Sequence, residues 1–311
     1  MPRVLDRNHV VPALGALLGG CEVDGGPTDE QLAFIDALAR MYFHVGDEVS
    51  LASIEPLGPE AVGEHFETAA ERRRVHQLLT VIELCRHPLT AAQVDRVDAY
   101  AVALGVDDAA MQITRDLVTR GVAAAEADYR RTLMALEPGL REPALAGPAG
   151  SAPTMSDPAL VERLEALVDC PDGSLGRAYL AFYERYGFAL PGADEQPAAI
   201  FVAHDMSHVL SGYEPVGVGE IALGMMQLGV RDCDEHWIQL LGNLGVHEAG
   251  FVAKGAHLAT LARPGAAAFV AEAFDRGVRC GRDFTLVDHL SMVDQPLDEV
   301  RAHFGIPPLA S

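Results

Sequence analysis

No stretch of this chain alternates apolar and polar residues for long enough to make a half-buried strand; its apolar residues return every three or four positions instead. That period confines the chain to helices, each packed through one stripe. "TDEQLAFIDALARMYFHV" sets Leu32, Ile35, Leu38, Ala39 and Tyr42 on a stripe behind the cap candidates Thr28 and Asp29. "ERRRVHQLLTVIELCRHP" repeats the pattern with Val75, Leu78, Leu79 and Ile82 and stops before Pro88. "TAAQVDRVDAYAVALGV" starts from Thr90 and ends at Gly105, and one further helix is expected over about 108–136, carrying Met111, Leu117, Val118 and Val122. "DGSLGRAYLAFYERYGF" opens at Ser174 with Leu175, Tyr179 and Phe182 facing inward. The apolar, Ala- and Gly-rich stretch 236–278 reads as two closely packed helices. "DQPLDEVRAHFGI" takes Asp294 as cap, Pro296 in the first turn and Gly305 as stop. The expected class is all-α.

At 311 residues, two domains are the natural division. Between them, residues 137–158 hold five prolines with several Gly and Ser, the composition of a linker. The expected organisation is therefore an N-terminal segment 1–27, a helical domain 28–136, the linker, and a second helical domain 159–311. Within the first segment, Leu18-Gly19-Gly20-Cys21 resembles a lipoprotein cleavage box. The apolar run before it is short, carries Pro12 and follows Asp6 beside only two arginines, so the segment is read as a first helix or arm.

A net charge of −22 excludes a general nucleic-acid binder, which needs basic groups to displace counterions from phosphates. It also argues against electrostatic docking on anionic lipid, while apolar docking at a membrane stays open. Only Lys254 is a lysine, which fits a GC-rich bacterial genome because lysine codons are AT-rich. The five cysteines are scattered without a C-x-x-C pair, so reduced cytosolic thiols fit better than a disulfide framework or a thiolate zinc site. No run reaches the roughly 18–20 apolar residues of a membrane span.

The chemistry concentrates in "FVAHDMSHVLSGYEPVGVGEIALGMM", residues 201–226. On a helix, His204 and His208 stack one turn apart on one face and can ligate one divalent metal. Asp205 sits roughly 100° round from His204, where it could ligate, orient an imidazole or act as a base. Gly212 ends the helix, and Glu220 opens the next one after a Gly-rich turn, so an antiparallel return brings its carboxylate back to the histidines. Two His and a carboxylate with open positions suit zinc, iron or manganese. Histidines four apart are also common as hydrogen-bonded core residues; Asp205, Glu220 and the apolar flanks Phe201, Val202, Val209 and Leu210 favour the metal, because unpaired ionisable groups are costly there.

The spacing H-D-x-x-H, eleven residues, then E resembles the signature of the coenzyme Q biosynthesis protein four family, here His204, Asp205, His208 and Glu220. "DGSLGRAYLAFY" (172–183) and "LDEVRAHFGI" (297–306) are similar to two further helices of that family, so the resemblance covers about residues 158–308. It implies an all-α fold, a divalent metal (zinc first, iron or manganese next) on those four residues, and a role in quinone synthesis. That role is removal of the C1 carboxyl from a polyprenylated hydroxybenzoate, coupled to hydroxylation at that carbon, within membrane-apposed complexes. Asp205 is then the better proton shuttle and Glu220 the better ligand, with the exchanged roles open. Ile221, Leu223, Met225, Met226 and Leu228 are candidates to line a prenyl groove, plain helix core being their alternative. The ligand would be a prenylated quinone precursor or another lipid-like molecule, and the place the cytoplasm or the inner membrane face.

Residues 28–136, around "RRRVHQLLTVIELCRHPLTAAQVDRVDAYAVALGVDD", resemble the tellurite-resistance TerB-like bundle. Where that family has an acidic D-G turn, this chain has "RHPLTAAQ", so no metal site is carried over. The segment is read as an interaction bundle for other quinone-biosynthesis proteins, and a second copy of the chain is a further candidate partner. His44, His65, His76 and His87 are expected at the surface or as caps. His236, His247, Glu248 and His257 are expected in structural roles, or at most behind the metal ligands. Two rival classes remain: a helical metal-dependent phosphohydrolase, disfavoured by the ligand spacing and by a net charge of −22 with a single lysine, and a non-catalytic scaffold that holds a lipid-like quinone precursor.

Overall fold

The computed structural model describes residues 4–46, 49–147, 156–193, 197–252 and 259–309. Among the described residues, fourteen α-helices run in the order α1 (Val10–Gly20), α2 (Asp29–Ala37), α3 (Pro59–Val62), α4 (Ala69–Leu84), α5 (Ala91–Leu104), α6 (Ala109–Thr119), α7 (Val122–Leu140), α8 (Pro158–Glu165), α9 (Leu175–Tyr186), α10 (Ala198–Ser211), α11 (Gly217–Val230), α12 (Asp234–His247), α13 (Ala266–Val278) and α14 (Leu297–Phe304). Among the described residues there is no strand beyond an isolated bridge between Ser174 and Pro296, so the protein is all-α.

Most helix starts follow side-chain chemistry. Thr28 and Thr68 each accept from the backbone N–H three residues on, and Gln31 and Glu71 reach back to close two capping boxes. Thr90 and Ser174 cap α5 and α9 as expected, and Gly105, Gly187, Gly212 and Gly305 end their helices in the left-handed conformation. Three expectations are corrected, and the expected stripe of α2 faces the core with a change of local geometry. The helix foreseen over 108–136 is broken at Gly121, whose φ of 90° no helix accommodates, and its second half runs on to Leu140. Its first half turns Ala110, Ile113 and the expected Leu117 to the core, while Val122 is exposed. The stripe of α2 is completed by a π-helical turn over Leu38–Tyr42. At α14 it is Pro296, not Asp294, that stands at the N-cap.

The N-terminal segment supplies a core helix: Leu14, Ala16, Leu17 and Cys21 are fully buried in α1 and its cap. The expected linker begins with the last turn of α7, and Glu142 within it is fully buried, its carboxylate 2.7 Å from His289 Nδ1; residues 148–155 lie outside the described residues. Buried apolar side chains from before and after this stretch join in one continuous core. No helix among the described residues is long and apolar enough to cross a membrane.

At the centre lies α11, apolar on every side and buried along nearly its whole length. α12 and α13 each pack on α11 rather than chiefly on each other, which corrects the expected pairing within 236–278. α11 and α13 meet through glycines: a Cβ at Gly277 would stand 2.1 Å from the Met226 carbonyl oxygen, and one at Gly229 would stand 2.4 Å from that of Phe274. Backbone cannot yield there as a flexible side chain would. Gly277→Ala is therefore expected to destabilise the protein by about 1–3 kcal/mol, the usual range for overpacking, read as a lowered urea midpoint.

Candidate metal centre

Helices α10 and α11 are joined by five residues, and the turn between them builds the site. Gly212, at φ 82°, closes α10 by donating to the His208 carbonyl at 2.7 Å. The reversal brings the Tyr213 carbonyl back beneath the His208 ring, 2.9 Å from Nδ1. A carbonyl only accepts, so Nδ1 carries the proton, and in neutral His208 the lone pair sits on Nε2. The last carbonyls of α10 are tied down from elsewhere: Arg301 donates to Val209 and Leu210 at 2.9 and 3.0 Å, and the buried Arg276 donates to Ser211 at 2.7 Å. At the start of α11, Asn243 of α12 donates to the Glu220 backbone carbonyl at 2.7 Å.

Three donor atoms then converge. His208 Nε2 lies 3.2 Å from His204 Nε2 and 3.3 Å from Glu220 Oε2, and His204 Nε2 lies 3.2 Å from the same oxygen. His208 is fully buried, while His204 and Glu220 keep 14% and 15% of their side-chain surface, so the triangle opens on one side only. Burial works against charge on Glu220, yet the two imidazoles hold its carboxyl far below the usual range. Burial likewise opposes a proton on His204, but hydrogen bonding and attraction to Glu220 raise it overall. A lone pair of His208 facing a carboxylate oxygen needs a positive charge between them, a proton or a cation. The edges match a cation: ligand bonds of about 2.0–2.1 Å at tetrahedral angles give donor separations of about 3.3 Å.

Asp205 is not part of this triangle. Its carboxylate accepts a hydrogen bond from the Tyr183 hydroxyl of α9, which in turn accepts from Tyr179 at 3.4 Å. Burial raises the Asp205 carboxyl against the pull of His204, Tyr183 and His208. Asp205 and Tyr183 share with His204 and Glu220 the wall of a cavity of about 390 Å³, whose apolar sides include Phe188, Pro191, Phe201 and Pro215. Ile221, Leu223, Met225, Met226 and Leu228 are fully buried core and do not line it. A helix apolar all round gives no sign of which face meets a cavity, and these face helices.

The sequence reasoning missed Tyr183, hidden beside the expected Phe182, which instead stacks on His208 at 5.8 Å between ring centroids. Among the other histidines, His65 is exposed and His76 is fully buried rather than at the surface. His44 pairs with Asp275 at 3.2 Å, and His236 is buried between the Arg231 carbonyl and Thr285. Glu248 is buried and pairs with His87 at 2.7 Å, away from the triangle, and His257 lies outside the described residues. The chain matches no protein-family model, and no curated protein matches it.

Replacing Tyr183 by Phe leaves a buried carboxylate without its hydrogen-bond donor. The expected loss is about 1–3 kcal/mol of stability. In a double-mutant cycle with Asp205→Asn the two losses should fall short of additive, measured by urea unfolding.

Proposed function

We propose that this chain is a metal-dependent enzyme of quinone biosynthesis that removes the C1 carboxyl of a prenylated hydroxybenzoate-type ring. The observation that carries the reading is the His204–His208–Glu220 triangle, at tetrahedral spacing, two of whose members, His204 and Glu220, line an aromatic-walled cavity. The H-D-x-x-H, eleven residues, E resemblance supplies the substrate class. His204, His208 and Glu220 hold the ion, zinc first and iron or manganese next. When bound, it supplies Lewis-acid stabilisation of negative charge on substrate oxygens.

The chain's own residues do the rest. The Tyr213 carbonyl keeps His208 in the tautomer that presents Nε2. Phe188 and Phe201 pack against the ring, and the prenyl tail leaves through the cavity mouth, since a cavity of about 390 Å³ is at the small end for ligand pockets. Asp205, paired with Tyr183, holds and moves the proton, which makes Glu220 the ligand and Asp205 the shuttle. Carboxyl loss as CO₂ leaves an electron pair at C1 that takes up a proton; with water as the oxygen donor, hydroxylation there releases two protons to solvent and passes two electrons to an acceptor outside the chain.

Among the described residues the cavity wall carries no Lys or Arg, so a phosphate would meet no cationic side chain beside the ion, which weighs against a phosphohydrolase. In this reading residues 28–136 and 159–311 are two helical units docked face to face, the first an interaction bundle for other quinone-biosynthesis proteins or a second copy. The enzyme works in the cytoplasm, at the inner face of the membrane that holds its lipid-like substrate.

Metal content by mass spectrometry tests the reading. Wild type is expected to carry about one equivalent at this site, lost in His208→Ala and Glu220→Ala, whereas Asp205→Asn keeps its metal but loses turnover of a prenylated hydroxybenzoate. Far-UV circular dichroism should be unchanged in all three variants. A wild type that takes up no zinc, iron or manganese at the triangle would remove the catalytic reading and leave a lipid-binding scaffold.

A further inference from the structure

A second set of metal-binding side chains lies away from the histidine pair, where the two halves of the chain meet. Glu30 comes from the first turn of α2, Cys85 caps the C-terminus of α4, and Glu248 caps that of α12. One oxygen of each carboxylate and the Cys85 sulfur lie within 4.8 Å of one another. Cys85 and Glu248 are fully buried, and Glu30 keeps 11% of its side-chain surface. His87 stands at the edge, with Nε2 2.7 Å from Glu248 Oε1 and 3.6 Å from Glu30 Oε2. The other Glu248 oxygen accepts from the Leu261 N–H at 2.9 Å.

Among the described residues, charge does not balance there. Two carboxylates face one another in a buried site, His87 offers them at most one positive charge, and neither Arg nor Lys pairs with them among the described residues. Glu30 Oε1 is enclosed and has no hydrogen-bond partner among the described residues. Burial, with Glu248 beside it, pushes the Glu30 carboxyl up to about 9. Such a pair needs either a shared proton or a cation.

We infer that Glu30, Cys85 and Glu248 form a second divalent-metal site, with His87 orienting Glu248 from behind. The donors separate the cation from the proton. A carboxyl pair alone would suffice for a proton, whereas a sulfur beside two carboxylates is a mixed donor set suited to zinc, cobalt or iron(II) rather than magnesium or calcium. On binding, the Cys85 S–H bond, which points at the Val81 carbonyl at 3.2 Å, breaks; its proton leaves to solvent and a sulfur–metal bond forms. The donors must draw in by about 1 Å to reach bonding separations. The site would clasp α2 and α4 to α12, and it does not depend on what the histidine triangle does.

Cobalt(II) is the probe, because the histidine triangle contains no sulfur. The full chain carrying His208→Ala and Glu220→Gln is titrated with cobalt and followed by absorption. The expected result is about one equivalent bound, with a sulfur-to-cobalt charge-transfer band, and both lost when Cys85→Ser is added. His87→Ala should weaken binding about 10–100-fold while the band persists at saturation. Should Cys85→Ser fail to fold by circular dichroism, Glu30→Gln takes its place, with loss of the cobalt equivalent expected. No cobalt uptake in the triangle-disabled chain overturns the inference in favour of a shared proton. Cobalt bound without the band, or a band that survives Cys85→Ser, overturns it as well.

Discussion

Glu220 occupies the first turn of a helix that has no solvent face, and the site depends on that constraint. Packed between α12 and α13, with the Gly229–Gly277 approach leaving no room to slide, α11 cannot rotate or shift along its axis by a residue. Its first-turn carboxylate is therefore delivered to one place. α10 is held as firmly at the end that carries the histidines, by Arg276 and Arg301 on its terminal carbonyls. The distances of 3.2 and 3.3 Å between donors follow from two clamped helix ends rather than from the motif alone. A donor set held this way would lose little conformational entropy on binding an ion, which is the physical meaning of preorganisation.

The same clamping explains the separation of Asp205 from its neighbours. One residue beyond His204 is about 100° round the helix, which aims the carboxylate at α9 instead of along the α10–α11 face. There Tyr183 supplies the hydroxyl that a buried carboxylate requires. Burial raises the Asp205 carboxyl, whereas the two imidazoles hold that of Glu220 down against its burial, so two carboxylates within one short motif are set apart by environment.

What could be read from the sequence was whatever depends on local period and spacing. Histidines four apart share a face on any helix, and a Gly-rich turn before an acidic first turn implies an antiparallel return, so His204, His208 and Glu220 were all legible. Caps at Thr28, Thr90 and Ser174 were legible because a side-chain oxygen next to an apolar period has one common use. Tyr183 was not, since its role comes from α9 packing on α10 across some twenty residues of chain. The break at Gly121 was masked by helical period on both sides. The side chains of α11 could be read as groove or as core, because a uniformly apolar helix carries no directional signal; the structure makes them core.

The Glu30–Cys85–Glu248 cluster marks the far limit of that legibility. Its members are separated by 55 and 163 positions, and each alone reads as an ordinary helix-end residue. Only the docking of α2 and α4 against the end of α12 turns them into a set. That docking also bears on how the protein is organised. Arg73 and Gln77 of α4 bind Asp232, Trp237 of α12 donates to Asp108, and Glu142 meets His289, so polar groups on both sides of the interface are satisfied across it. Separating the halves would leave buried carboxylates and an arginine without partners, at a cost of about 1–3 kcal/mol for each orphaned group. An interface that penalises separation in this way couples the N-terminal helices to α12, whose Asn243 holds the first turn of α11 and with it Glu220.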